Sequence, residues 1–191
     1  SGTDVPLAWS ADGTRVYFRS HRNHPNYVMQ GFEIPVTGGN PSQLPFSRLS
    51  RLSIHPKNGA FLIQDNFVSW QTWKRYRGGM APDIWLLEEN REIRRLSDFK
   101  GSDTDPFWVG DVPHFLSDRQ GRTSIYRSVG DGEEAVIPPQ KWDIRWPSAA
   151  PDGSIVAGMG GDIIRVDPQE GKWRRIPIKM PKADTGKREF P

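Results

Sequence analysis

The feature that most constrains this chain is a repeat whose first tight turn returns at Gly13, Gly59, Asp111 and Gly153, with spacings of 46, 52 and 42 residues. Each copy reads as a strand, a tight turn, a second strand, a further turn, a third strand and a closing stretch. The first runs Leu7-Ala8-Trp9-Ser10-Ala11-Asp12-Gly13, Val16-Tyr17-Phe18, Gly31 to Val36 and Ser42-Gln43-Leu44. The second runs Leu52 to Gly59, Ala60-Phe61-Leu62-Ile63, a long interruption from Asp65 to Pro82, Asp83 to Glu88, and Glu92 to Leu96. The third runs Asp105 to Asp111, His114 to Gly121, Ser124 to Val129, and Glu134 to Ile137. The fourth runs Ile144 to Pro147, Pro151-Asp152-Gly153, Ser154 to Ala157, Asp162 to Val166, and Lys172 to Ile178. Asp-Gly and Asn-Gly between apolar runs mark hairpins, because the primed turns need φ > 0. Four antiparallel strands in about 40–50 residues make one blade of a β-propeller. A lone blade cannot cover both of its faces, so the copies must stack. The expectation is an all-β chain of four propeller blades, at about 1–46, 47–99, 100–140 and 141–180, with a polar tail or linker at 181–191. A β-sandwich has similar turn spacing. Recurrence of the same strand order in four units favours the propeller.

Composition agrees with many short strands. Gly and Pro supply 19 and 17 of the 191 residues, and 8 Trp stand among them. Such an aromatic content can build a core. A net charge of +3, with no long basic stripe, argues against a nucleic-acid partner. The absence of cysteine removes disulfides and thiolate metal sites. No run approaches the ~18 apolar residues of a membrane span, and no signal peptide is visible. The first residue is Ser1, so an N-terminal part is expected to have been removed or left out.

Little in the chain suggests catalysis. His21 and His24 lie in a loop before Pro25 with no third ligand in view, so a solvated loop is expected and no metal or cofactor. His55 and His114 read as packed or hydrogen-bonded. There is no Gly-x-Ser-x-Gly elbow. Glu88-Glu89 and Glu133-Glu134 read as solvated turns. Gly158-Met159-Gly160-Gly161 lacks the Lys and helix of a phosphate loop. The one local candidate is Lys74-Arg75-Tyr76-Arg77, inside the second-copy insertion and flanked by Trp70, Trp73 and Gly78-Gly79. Arginine and aromatic groups can hold a peptide carboxylate or backbone. They can equally pack on a neighbouring domain or blade, and exposed aromatic clusters often mark such interfaces. The four residues are therefore expected to form a peptide-facing or domain-facing surface outside the repeat.

Several strings resemble a known family. Trp9-Ser10-Ala11-Asp12-Gly13 and Phe115 to Gly121 followed by Ile125-Tyr126-Arg127 resemble the repeats of TolB and tricorn propellers. Thr72 to Gly79 running into Asp83-Ile84-Trp85, Gly101 to Pro106, and Asp143 to Ser148 resemble tricorn proteases more specifically. The resemblance implies the last four blades of a six-bladed N-terminal propeller, with two blades ahead of Ser1. The implied parent is a large oligomeric cytosolic serine peptidase whose propellers channel peptides, and whose catalytic residues lie in a C-terminal half outside this chain. Its partners would be the remainder of that protease or another copy of the chain, and peptides, with neither nucleic acid nor membrane. The family's dibasic anchor for a peptide C-terminus has no match at Ser1-Gly2-Thr3-Asp4. The alternative is a TolB-like interaction propeller without a protease, which would be periplasmic.

Overall fold

In the computed structural model, residues 3–24, 28–66, 74–88, 90 and 92–179 are described. They form sixteen strands and, among the described residues, no helix. Blade 1 holds β1 (Asp4–Trp9), β2 (Arg15–Ser20), β3 (Gln30–Pro35) and β4 (Ser42–Gln43). Blade 2 holds β5 (Arg51–Ile54), β6 (Phe61–Gln64), β7 (Ile84–Leu87) and β8 (Ile93–Arg95). Blade 3 holds β9 (Asp103–Val109), β10 (Val112–Ser117), β11 (Ser124–Val129) and β12 (Gly132–Ala135). Blade 4 holds β13 (Ile144–Ala149), β14 (Ile155–Met159), β15 (Asp162–Asp167) and β16 (Lys172–Arg175). Each blade is an antiparallel meander in chain order. The first strands stand side by side, β1 against β5, β5 against β9 and β9 against β13.

The turns between first and second strands show why Gly and Asp recur there. Gly13, Gly59 and Gly153 sit at φ 69°, 72° and 80°, a left-handed region that glycine enters without steric cost. Asp12 and Asp152 accept hydrogen bonds from the backbone N–H two residues on, Thr14 at 3.0 Å and Ser154 at 3.0 Å. In blade 3 the turn is Gly110-Asp111, and Gly110 takes the positive φ.

Period-two alternation divides each inner blade between its two neighbours. On β6 and β7, Leu62, Ile84 and Leu86 join the core shared with blade 3, where they meet Phe115 and Tyr126. Ile63 and Leu87, at the alternate positions, join the core shared with blade 1, against Tyr17, Leu44 and Leu49. Blade 3 repeats the division. Its Leu116 and Ile125 turn to blade 4, packing with Ile144, Ile155, Ile164 and Val166. Burying such a side chain is worth about 1.5–3 kcal/mol, so three stacked layers dominate the stability.

One layer contains a charge. Asp103, at the start of β9, is fully buried between blades 2 and 3. Arg119 Nη2 donates to its Oδ2 at 3.2 Å. Burial pushes the Asp103 carboxyl up to about 6, against the Ser117 hydrogen bond and the Arg119 charge. Between about pH 4 and 6 the native state therefore holds a proton that the unfolded chain, with an aspartate pKa of about 3.9, has released. Stability from this group is full below about pH 4 and falls as pH rises through about 6. The Asp103→Asn variant should lack that slope. Chemical denaturation of both proteins from pH 4 to pH 7 should show the wild type losing on the order of 2 kcal/mol relative to the variant across this window. Parallel curves would refute the assignment.

Candidate functional site

The first strands of three blades are irregular at equivalent places. The β1–β2 register shifts between Pro6 and Ala8. In β9 the extra residues are Asp105-Pro106, opposite the stretch between His114 and Leu116. In β13 they are Trp146-Pro147, between Arg145 and Ser148. A proline suits a bulge because it brings no N–H to a ladder that is interrupted there anyway. Asp105 and Trp146 adopt left-handed backbone, φ 50° and 51°, although each precedes a proline. Arg75, in the insertion, does the same at φ 54°. These are the three non-glycine residues with positive φ among the described residues, and all three line one cleft. Such conformations cost about 1–3 kcal/mol each and persist where surroundings fix them.

The cleft holds about 800 Å³ of empty space, its open mouth included, between blades 2, 3 and 4. Its polar wall carries Arg51, Lys74, Arg75 and Arg145 beside Asp105, Asp118 and Asp143. Arg51 Nε pairs with Asp105 Oδ1 at 3.2 Å, while the Asp105 N–H donates to Gln64 Oε1 at 3.0 Å. The left-handed bulge is thus held from blade 2. Trp146 lies over Gly158 and is 60% exposed. A ring at the mouth of a partly cationic cleft offers both stacking and charge to a ligand.

The four residues singled out from the sequence have different tasks. Lys74 Nζ reaches Asp143 Oδ2 of blade 4 at 3.4 Å. Burial acts to raise the Asp143 carboxyl, but the Thr123 N–H, Lys74 and Arg75 outweigh it and hold it below the usual range. Arg75 Nε donates to the Gly121 carbonyl of blade 3 at 2.6 Å. Tyr76 is partly buried, and its ring lies against Gly78. Arg77 Nη1 contacts both oxygens of Asp118, at 3.0 and 2.8 Å, and its guanidinium lies 5.0 Å from the Phe99 ring centre. The Asp118 side chain is 6% exposed and also accepts from the Ser102 N–H at 3.1 Å. Gly101 is needed beside this pair: a Cβ there would stand 2.5 Å from Arg77 Nη1 and 2.7 Å from Asp118 Oδ1. The insertion is therefore a strap running from blade 2 over blade 3 to blade 4. Trp70 and Trp73, expected to flank it, lie outside the described residues, as do Glu89 and the 181–191 tail.

Two histidines, His55 and His114, are buried and hydrogen-bonded. His55 Nδ1 accepts from the Lys57 and Asn58 N–H groups, so Nε2 carries the proton and donates to Asp111 at 3.1 Å. His114 is buried, which lowers its pKa, and its Nδ1 donates to the Val112 carbonyl at 3.0 Å. The His24 N–H closes a turn onto the His21 carbonyl. Among the described residues, no three His, Asp or Glu gather as a metal set. Among the described residues, no helix is long and apolar enough to cross a membrane. Asp105, Arg145 and Trp146 are cleft residues that sequence reasoning did not assign to a site. The pairs Asp105-Pro106 and Trp146-Pro147 are local marks of the bulges alone, and give no sign of the left-handed turns or of the cleft.

The sequence and the fold were compared with known proteins. The family model of the tricorn protease N-terminal beta propeller domain matches residues 1–172. Tricorn protease homolog 1 of Streptomyces coelicolor is 29% identical over 188 residues, which is 96% of this chain and 17% of that protein. The chain thus spans about a sixth of that relative's length. The crystal structure of the tricorn protease superposes with a TM-score of 0.59 at 17% identity, covering 91% of this chain and 22% of the other. TolB from Acinetobacter baumannii gives 0.66 at 18% identity, covering 90% and 42%.

The strap divides into an anchor and a surface. Arg77→Ala leaves a buried carboxylate short of its partner and should cost about 1–3 kcal/mol. Lys74→Ala removes an exposed contact and should stay within about 0.5 kcal/mol. Urea titration of the two variants distinguishes them, and equal midpoints would contradict this division.

Proposed function

The chain belongs to the tricorn protease N-terminal propeller family, and from that premise we propose that it serves a tricorn-like serine peptidase of the cytoplasm as a non-catalytic propeller, contacting peptides and docking neighbouring domains. Hydrolysis belongs on this reading to other parts of the parent protein. The likeness to TolB is one of fold at 18% identity, whereas the match over residues 1–172 is to the tricorn family.

The observation that supports the peptide contact is the cleft between blades 2, 3 and 4. Lys74, Arg75, Arg51 and Arg145 line it, three strained residues shape it, and Trp146 stands at its rim. Arg75 uses Nε on the Gly121 carbonyl, and its positive charge acts on the Asp143 carboxyl. A peptide carboxylate placed there would accept charge-assisted hydrogen bonds. The adjoining backbone could stack on Trp146.

Titration of short peptides, followed by Trp fluorescence and NMR shifts, tests the reading. A peptide with a free C-terminal carboxylate should bind at least about tenfold tighter than its amide, a loss equivalent to one charged hydrogen bond. The Lys74→Ala/Arg75→Ala pair should remove that preference with the fold intact. Equal binding of acid and amide, or no effect of the pair, would defeat the carboxylate reading. Fluorogenic peptides should not be turned over by the pure chain, and turnover sensitive to a serine-directed inhibitor would defeat the non-catalytic one.

A further inference from the structure

Two chemical features of the backbone coincide at one peptide bond, Asp105-Pro106. The first is strain. Proline presses its Cδ on the N–H and Cβ of the residue before it, which favours extended backbone there. Asp105 is held left-handed before Pro106 at φ 50°, as Trp146 is before Pro147 at φ 51°. The hold on Asp105 comes from blade 2, through Gln64 on its N–H and Arg51 on its carboxylate. The second feature is a nucleophile. An aspartate carboxylate can close a five-membered ring on the carbonyl carbon of its own residue, and such proximity replaces a second reactant. A following residue with an N–H diverts aspartate to a cyclic imide instead, whereas proline has no N–H to do so.

The chain holds one bond with each feature alone. Trp146-Pro147 has the left-handed turn without a carboxylate. Asp167-Pro168, the other Asp-Pro pair of the sequence, has the carboxylate without the left-handed turn. The Asp167 carboxylate is also drawn forward, Oδ1 accepting from the Gln169 and Glu170 N–H groups at 2.9 and 3.1 Å. Its carbonyl accepts from the Gly171 N–H at 3.0 Å. Attack at this second bond would first have to break these contacts.

We propose that Asp105-Pro106 is a self-cleavage site, at which the Asp105 carboxylate cuts the chain inside the β9 bulge in a mildly acidic medium. One carboxylate oxygen bonds to the Asp105 carbonyl carbon. The C–N bond to Pro106 then breaks, and its electron pair stays on the proline nitrogen, which takes a proton from the medium. Water opens the cyclic anhydride, restoring the side-chain carboxyl and leaving a new α-carboxyl on Asp105. The sum is hydrolysis by one water, with nothing oxidised or reduced. The nitrogen turns pyramidal as the bond breaks, which relieves the crowding between Pro106 and the left-handed Asp105. Strain in the folded chain therefore speeds the step. Asp105 and Pro106 are the extra residues between the Thr104–Leu116 and Phe107–His114 pairs, so the cut removes no ladder pair. The inference does not depend on the peptide reading, although Asp105 lines the same cleft.

Incubation of the whole chain at about pH 4 tests it, with folding followed by circular dichroism and fragments by mass spectrometry. Fragments 1–105 and 106–191, whose masses sum to the chain plus one water, should form at least about tenfold faster than the cut after Asp167. That ratio is equivalent to about 1.4 kcal/mol. In concentrated urea at the same pH, where neither bond is held, the two cuts should agree within about threefold. No cut should appear after Trp146. Asp105→Glu keeps the charge but needs a larger ring, so it should abolish the first cut and leave the one after Asp167. The same ratio in folded and urea-treated chain would overturn the proposal, as would a folded chain that stays whole at Asp105. A Glu variant still cut at position 105 would also overturn it, in favour of a contaminating protease.

Discussion

Coverage of the second face of each sheet is the constraint on which this structure depends. A four-stranded blade with apolar side chains alternating along β6 and β7 exposes one apolar set whichever way it turns. Leu62 and Ile84 face one neighbour, and Ile63 and Leu87 face the other. Blade 2 is therefore stable only as a middle layer. The same holds for blade 3, with Phe115 and Tyr126 on one side and Leu116 and Ile125 on the other. Stability in such a stack is approximately a sum of blade terms and joint terms, with joints carrying most of it.

The joints are not chemically uniform. The one between blades 3 and 4 is an apolar layer around Ile144, Ile155 and Ile164. The one between blades 2 and 3 adds the Asp103–Arg119 pair and three aromatic rings around the guanidinium. Burying an ion pair is seldom a net gain over hydrophobic packing. Both groups belong to blade 3, where Asp103 lies opposite Ser117, so the pair acts on the β9–β10 register, and Phe99 alone reaches the guanidinium from blade 2.

Much of the fold was legible because its signals are local. The Asp-Gly and Asn-Gly turns and the two-residue period fall within short windows, and they placed four strands in each of four units. The site was legible only in part. Lys74, Arg75 and Arg77 stood out as an insertion, yet their partners Gly121, Asp118 and Asp143 come from later blades, and no local pattern links them. Arg77 read from sequence as a surface group, whereas its carboxylate partner is buried. The strained Asp105 and Trp146 could not be read either. A residue before proline is normally extended, and only tertiary contacts, such as Gln64 on the Asp105 N–H, impose the left-handed turn.

The strap that leaves blade 2 and ends on blade 4 alters how such a stack can come apart. A column held by nearest-neighbour contacts alone can lose its terminal unit without consequence two units away. Here Lys74 reaches Asp143, which stands just ahead of β13 and accepts from the Thr123 N–H of blade 3, and Arg77 and Arg75 fasten the same segment to Asp118 and Gly121. Opening of the joint between blades 3 and 4 must therefore break the Lys74–Asp143 contact as well, a weak surface link, whereas Arg75 and Arg77 keep the segment fastened to blade 3 whichever way blade 4 moves.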